Sequence, residues 1–178
     1  MPLPKGSVDG VHPRAVTIEL LLASPLHRYE GRPSDGPLDA RGPELPSSIE
    51  VRAGLGIVGD RYYGHPAHRT ASVTVMSIEA IEHLGPGLDP ADTRRNIIVR
   101  GLPIDRMRGE EFTLGGIRFR AHRPANPCAW MDVALAPGAH RGLRGHGGMR
   151  CEPLTSGTLA LGPTVAETLH APASLQLF

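Results

Sequence analysis

The chain has 178 residues, a formal net charge of +1 and 4% aromatic residues. That length suits one domain, spanning 1–178, with a sizeable core. The near-neutral charge removes the usual electrostatic footprint of nucleic-acid binding, and so few aromatics leave little for base stacking.

Glycine and proline, at 22 and 18 residues, exceed a fifth of the chain and call for many turns and few long helices. The first apolar run, residues 15–23, is short and carries Glu19. That fits neither a signal h-region nor a membrane span. A cytoplasmic protein without membrane contact is the expectation, and its two cysteines, Cys128 and Cys151, are then read as reduced thiols.

Val16 to Leu22 reads as a first strand, partly alternating and then fully apolar. From Ser24 to Ser48 prolines and glycines interleave and little is apolar, which predicts a mobile surface excursion. Ile49 to Ala53 resumes a strand. The following Gly54, Gly56 and Gly59 match a dinucleotide fingerprint, but that fingerprint needs a helix directly after it. Gly64 and Pro66 stand there instead, so the nucleotide reading is rejected.

Ala71 to Met76 alternates as a strand, with Ser77 placed to cap a short helix over 78–84. Asp89-Pro90 predicts a further helical turn, capped by Asp89 with Pro90 at its first position, before a strand at Asn96 to Val99. Glu111 to Ala121 predicts a hairpin around Gly115-Gly116, pairing Leu114 with Ile117, Phe112 with Phe119, and Glu111 with Arg120. A later strand is expected over Leu159 to Val165, after a turn at Gly157. Many short strands with glycine and proline punctuation predict a mainly β barrel or sandwich carrying a few short α-helices.

Four stretches offer chemistry. Arg123 to Asp132 holds the single Trp and Cys128, and Pro124 and Pro127 stiffen the approach to the thiol. Cys128 is either a small buried core residue or, near His122 and Arg123, a thiolate able to act as nucleophile or soft-metal ligand. Gly142 to Gly148 is either a flexible turn or an anion-binding nest of backbone N–H groups. Arg94 and Arg95 are either a solvated pair or an oxyanion clamp. His65 and His68 form a weak zinc pair, since Pro66 keeps them off a common helix face and no third ligand lies nearby.

These residues resemble the MOSC domain, the C-terminal module of molybdenum cofactor sulfurases. The similarity runs in order through Gly59-Asp60-Arg61, Arg94 to Leu102, Gly109 to Gly115, Pro127-Cys128 and Arg144 to Gly148, within residues 49–165. The resemblance implies a MOSC-type β-barrel binding a molybdenum cofactor, a Mo-pterin. Cys128 matches the family cysteine that ligates molybdenum or handles sulfur. Arg94 and Asn96 match the family's polar pair, and Arg144, His146, Gly147 and Gly148 match its late glycine loop. Converging on Cys128, these would form a positive mouth for a pterin phosphate.

Two activities follow from the resemblance: a Mo-dependent reductase of N-hydroxylated small molecules, or a sulfur carrier holding a persulfide on Cys128. A non-catalytic binding barrel is the third reading. Either active version needs an electron-donor or sulfur-donor protein, and pyridoxal phosphate is not expected in this chain. Two departures stand out. Leu161-Gly162-Pro163 replaces the usual Gly-Asp, and Tyr62-Tyr63 replaces the common His after Gly-Asp-Arg.

Overall fold

The computed structural model describes residues 11–40 and 42–169. Its strands are β1 (Val11–Leu21), β2 (Ser48–Arg52), β3 (Gly56–Ile57), β4 (Val73–Ser77), β5 (Ile97–Arg100), β6 (Glu111–Leu114), β7 (Ile117–Pro124), β8 (Met149–Pro153), β9 (Gly157–Ala160) and β10 (Gly162–Leu169). Short helices α1 (Ile78–Glu82), α2 (Trp130–Ala134) and α3 (Ala139–Gly142) lie between them. Seven strands close into a barrel in the order β1-β10-β6-β7-β8-β4-β5, and β3-β2-β9 form a small separate sheet. The protein is mainly β, as the pattern of short strands predicts. No described helix is long and apolar enough to cross a membrane.

The barrel interior is filled by the inward residues of each strand. Phe112 and Phe119 are fully buried and stack at 5.5 Å between ring centroids. Removing either ring would cost about 3–5 kcal/mol through lost burial and the cavity left behind. The β6–β7 hairpin has the predicted register: Leu114 opposite Ile117, Phe112 opposite Phe119, Glu111 opposite Arg120. Its outer face meets water, so burial alternates along β7 from Ile117 to Ala121.

β4 and β5 behave differently. Val73 to Met76 and Ile97 to Val99 are buried on both faces. The helices supply the reason: Met76 and Ile98 point outward and pack with Ile81, Trp130, Met131 and Leu143 in a second apolar cluster. β4 and β5 are also the parallel pair, joined through α1, as a parallel connection requires a crossover.

Some boundaries differ from the sequence reading. β1 starts at Val11, ahead of Val16, because β10 pairs along its whole first half. The expected strand at Leu159 to Val165 is two strands, broken at Leu161 just before Gly162, whose φ is 110°. Gly157 opens β9 rather than forming a turn. The short helix ends at Glu82, and the turn after Asp89 is a single 3-10 turn whose Ala91 N–H the Asp89 carboxylate accepts at 2.9 Å.

The segment after β1 holds no strand, as expected, but it is anchored rather than loose. Ser24 Oγ donates to Glu44, Arg94 clamps the same carboxylate at 2.7 and 3.0 Å, and Leu38 N–H donates to Arg28. Tyr29 stacks on Trp130 at 5.0 Å, its ring planes within 10°.

Candidate functional site at the Cys128 bend

Pro124 ends β7, and Trp130 begins α2, so the bend carrying Cys128 hangs between a barrel strand and a helix. Burial of Ala125, Trp130 and Met131 pins both sides of it. Cys128 itself is exposed, so the buried-core alternative does not hold for it. Cys151 is the buried thiol, pointing into the barrel from β8, and burial pushes its pKa far up.

Arg95 braces the bend. Its Nε donates to Gly147 O at 2.9 Å, and one terminal nitrogen donates to Ala125 O at 2.8 Å and Asn126 O at 3.5 Å. Desolvation pulls the Arg95 pKa down to about 10, and the field of Arg150 adds to it. Cys128 and Tyr62 act the other way. Arg150, lowered first by burial, feels Arg123 and Arg61 and hydrogen-bonds Tyr62. Asp105 shares a field with Arg95, but among the described residues neither Arg95 nor Arg150 has a carboxylate at ion-pair distance, whereas Arg61 reaches Asp60 Oδ2 at 3.5 Å.

The cationic cluster extends further. Arg61 sits 4.7 Å above the Tyr62 ring, and its Nε is buried without a partner. His68, whose ring lies 4.5 Å from Tyr62, has its Nδ1 buried and unpartnered as well. Burial, then His65, Arg150 and Arg123, hold His68 below its ordinary 6.5. Buried donors without partners are rare because each forfeits its hydration. Guanidiniums gathered around such groups have the chemistry that suits an anion.

The other sequence candidates divide. Arg94 is 6% exposed and hydrogen-bonds Glu44 and Leu26 O, at a left-handed φ of 57°. Asn96 is 1% exposed: its amide nitrogen donates to Leu22 O and Asp60, and its oxygen accepts from Thr74 N–H and Oγ1. Both Asn96 amide hydrogens are used, and the Arg94 guanidinium is committed chiefly to the Glu44 carboxylate. The two residues knit the segment after β1, the Asp60 turn and β4 together.

Gly147 and Gly148 are buried parts of the brace. A Cβ at Gly147 would lie 2.3 Å from Ala125 O, and one at Gly148 2.3 Å from Val75 O. Gly148 N–H donates to Asp105 at 2.8 Å, so it is not a free nest donor. Arg144 is exposed. His146 is turned toward Asp105, 3.9 Å away. His122 pairs with Glu152 at 2.8 Å and so gives Cys128 little field. The rings of His65 and His68 meet at 4.9 Å through the 3-10 turn over Pro66–His68. Among the described residues no group of three His, Cys, Asp or Glu gathers as a metal site.

Sequence reasoning missed Arg61, Tyr62 and Arg150 as site residues. Arg61 lay inside the quoted Gly-Asp-Arg element, and Arg150 stands one residue before the second cysteine. The parity of β8 could have found it, since Cys151 pointing inward turns Arg150 out of the interior.

No protein-family model and no curated protein sequence matches the chain. Solved structures do. The YuaD protein from Bacillus subtilis superposes with a TM-score of 0.67 at 16% identity, covering 90% of this chain and 100% of that one. YiiM from Escherichia coli gives 0.52 at 14% identity, covering 89% of this chain and 72% of the other. The fold is shared with these proteins. The seven-stranded barrel also fits the MOSC-type fold that the sequence motifs imply.

Proposed function

We propose that the chain holds a pterin-type molybdenum cofactor at the Cys128 bend, with the arginine cluster taking its phosphate. The observation that carries this reading is an exposed thiol beside two partly buried guanidiniums, Arg95 and Arg150, that have no ion-pair partner among the described residues. A soft thiolate suits molybdenum, and forked guanidiniums suit a phosphate. The unpartnered Arg61 Nε supplies a further donor, and His68 Nδ1 a further unpartnered ring nitrogen. The residues therefore fit the group.

In this reading Cys128 ligates the metal through sulfur. Arg95 holds the bend at the right height, and Arg61 and Arg150 take the phosphate. Tyr62 replaces the family's common His and can pass a proton or a hydrogen bond at its phenol oxygen. Tyr29 stacks on Trp130, the first residue of α2 after the bend. When bound, the cofactor supplies two-electron redox chemistry suited to reducing an N-hydroxylated small molecule, with electrons from a donor protein.

The exposure of Cys128 favours one second reading, a sulfur carrier. A persulfide there would be open to a partner. Molybdenum and pterin content of protein purified from cofactor-producing cells separates the two. The cofactor reading expects both in the wild type and loss of most molybdenum in Cys128→Ser. Neither group in the wild type, together with cyanide-labile sulfur on Cys128, would establish the carrier instead.

A further inference from the structure

A cavity of about 610 Å³ has no lining residue from the Cys128 bend itself. It lies between α1, the 3-10 turn Ile104–Arg106 and the loop that follows α3. Its polar lining is Ser77, Glu79, His83, Asp105, Arg106 and His146, and neither Cys128 nor any arginine of the Cys128 cluster contributes. A cavity of this size takes a small organic ligand.

The two acids of the lining are already engaged. Glu79 accepts from Gly101 N–H at 2.8 Å and from Ser77 Oγ. Asp105 accepts from Gly148 N–H at 2.8 Å through one oxygen, while the other faces His146. The donors are not engaged: among the described residues the Arg106 and His83 side chains have no hydrogen-bond or ion-pair partner. His146 is 66% exposed and keeps its second ring nitrogen open. What the cavity offers a ligand is thus a fixed cation and two imidazoles, with its carboxylates tied to backbone and serine.

We propose that this cavity is a second ligand site, for a small organic oxyanion held by Arg106, His83 and His146. The shared chemistry is a carboxylate or phosphate group accepting from a guanidinium and two imidazoles, with the rest of the molecule lying along the apolar wall. The proposal stands independently of what occupies the Cys128 bend.

Isothermal titration with citrate and, separately, inorganic phosphate tests it, on the wild type, the Arg106→Gln/His83→Gln double variant and Arg150→Gln. Both replaced side chains of the double variant are exposed, so its melting temperature should stay that of the wild type. Saturable binding of at least one probe is expected, weakened about tenfold or more in the double variant and unchanged in Arg150→Gln. The tighter probe tells carboxylate from phosphate. No saturable binding of either probe, undiminished binding in the double variant, or loss confined to Arg150→Gln would each overturn the assignment, the last by moving the anion to the Cys128 cluster.

Discussion

Arg123 of β7 and Arg150 of β8 are direct cross-strand partners, just past the bulge between Ala121 and Arg123. Like charges placed opposite each other cost an antiparallel pair roughly 0.2–1 kcal/mol. A chain gains from that arrangement when an anion lies between or beside the two guanidiniums.

Arg150→Gln should therefore leave the ligand-free barrel as stable as the wild type or slightly more so, by up to about 1 kcal/mol. It should also blunt the stabilisation that sulfate confers, because an anion bound to the folded state stabilises it by mass action. Thermal melts over a sulfate series measure both. Equal sulfate responses in the two proteins would remove Arg150 from the anion site.

Arg94→Ala should destabilise the fold rather than empty the mouth. The bidentate pair with Glu44 is mostly buried, and leaving one partner behind costs about 3 kcal/mol, the low end for such pairs because solvent still reaches Glu44. Burial works against the Glu44 carboxylate, but hydrogen bonds from Arg94 and Ser24 outweigh it and hold its pKa below 4.5. Its contribution is thus fully present above 4.5 and lost as pH falls through the lower folded value. The stability gap between wild type and Arg94→Ala should shrink on acidification below that point. A gap that stays constant there would contradict the pairing.

Cys128 should alkylate in the native protein at least about tenfold faster than Cys151, which is exposed to reagent only on unfolding. Timed iodoacetamide labelling with peptide mass spectrometry decides it. Comparable native rates at both positions would sink the burial argument.

Gly147→Ala should disturb the bend directly, because its Cβ has 2.3 Å to Ala125 O and 3.1 Å to Pro127 Cδ. We expect a melting temperature lowered by several degrees, from a cost of about 2 kcal/mol or more. Gly142→Ala meets only the Leu84 side chain and should be milder. The reverse order would place the strain elsewhere.

Much of the barrel is legible in the sequence, and the reasons are local. The β6–β7 hairpin could be read because Gly115-Gly116 fixes the turn and the two Phe fix the register. α2 and α3 could not, since five and four residues are too few to show a helical period and exist by packing Trp130, Met131 and Leu143 onto β4 and β5. Cys128 was visible from its proline frame. Arg94 and Arg95 are identical side chains in sequence, and only the left-handed turn at Arg94 sends one to Glu44 and the other to the bend. Motif order places a segment near a site, but which guanidinium faces it is set by tertiary contacts.

In the proposed site the arginine cluster projects its positive potential onto Cys128. The most direct test compares the rates at which anionic iodoacetate and neutral iodoacetamide alkylate Cys128, at low salt, in the cofactor-free wild type and in Arg150→Gln. The account expects the iodoacetate-to-iodoacetamide ratio to exceed that of free cysteine, and to fall about threefold or more in Arg150→Gln and on adding salt. A wild-type ratio no higher than that of free cysteine, unchanged by the substitution, would contradict it.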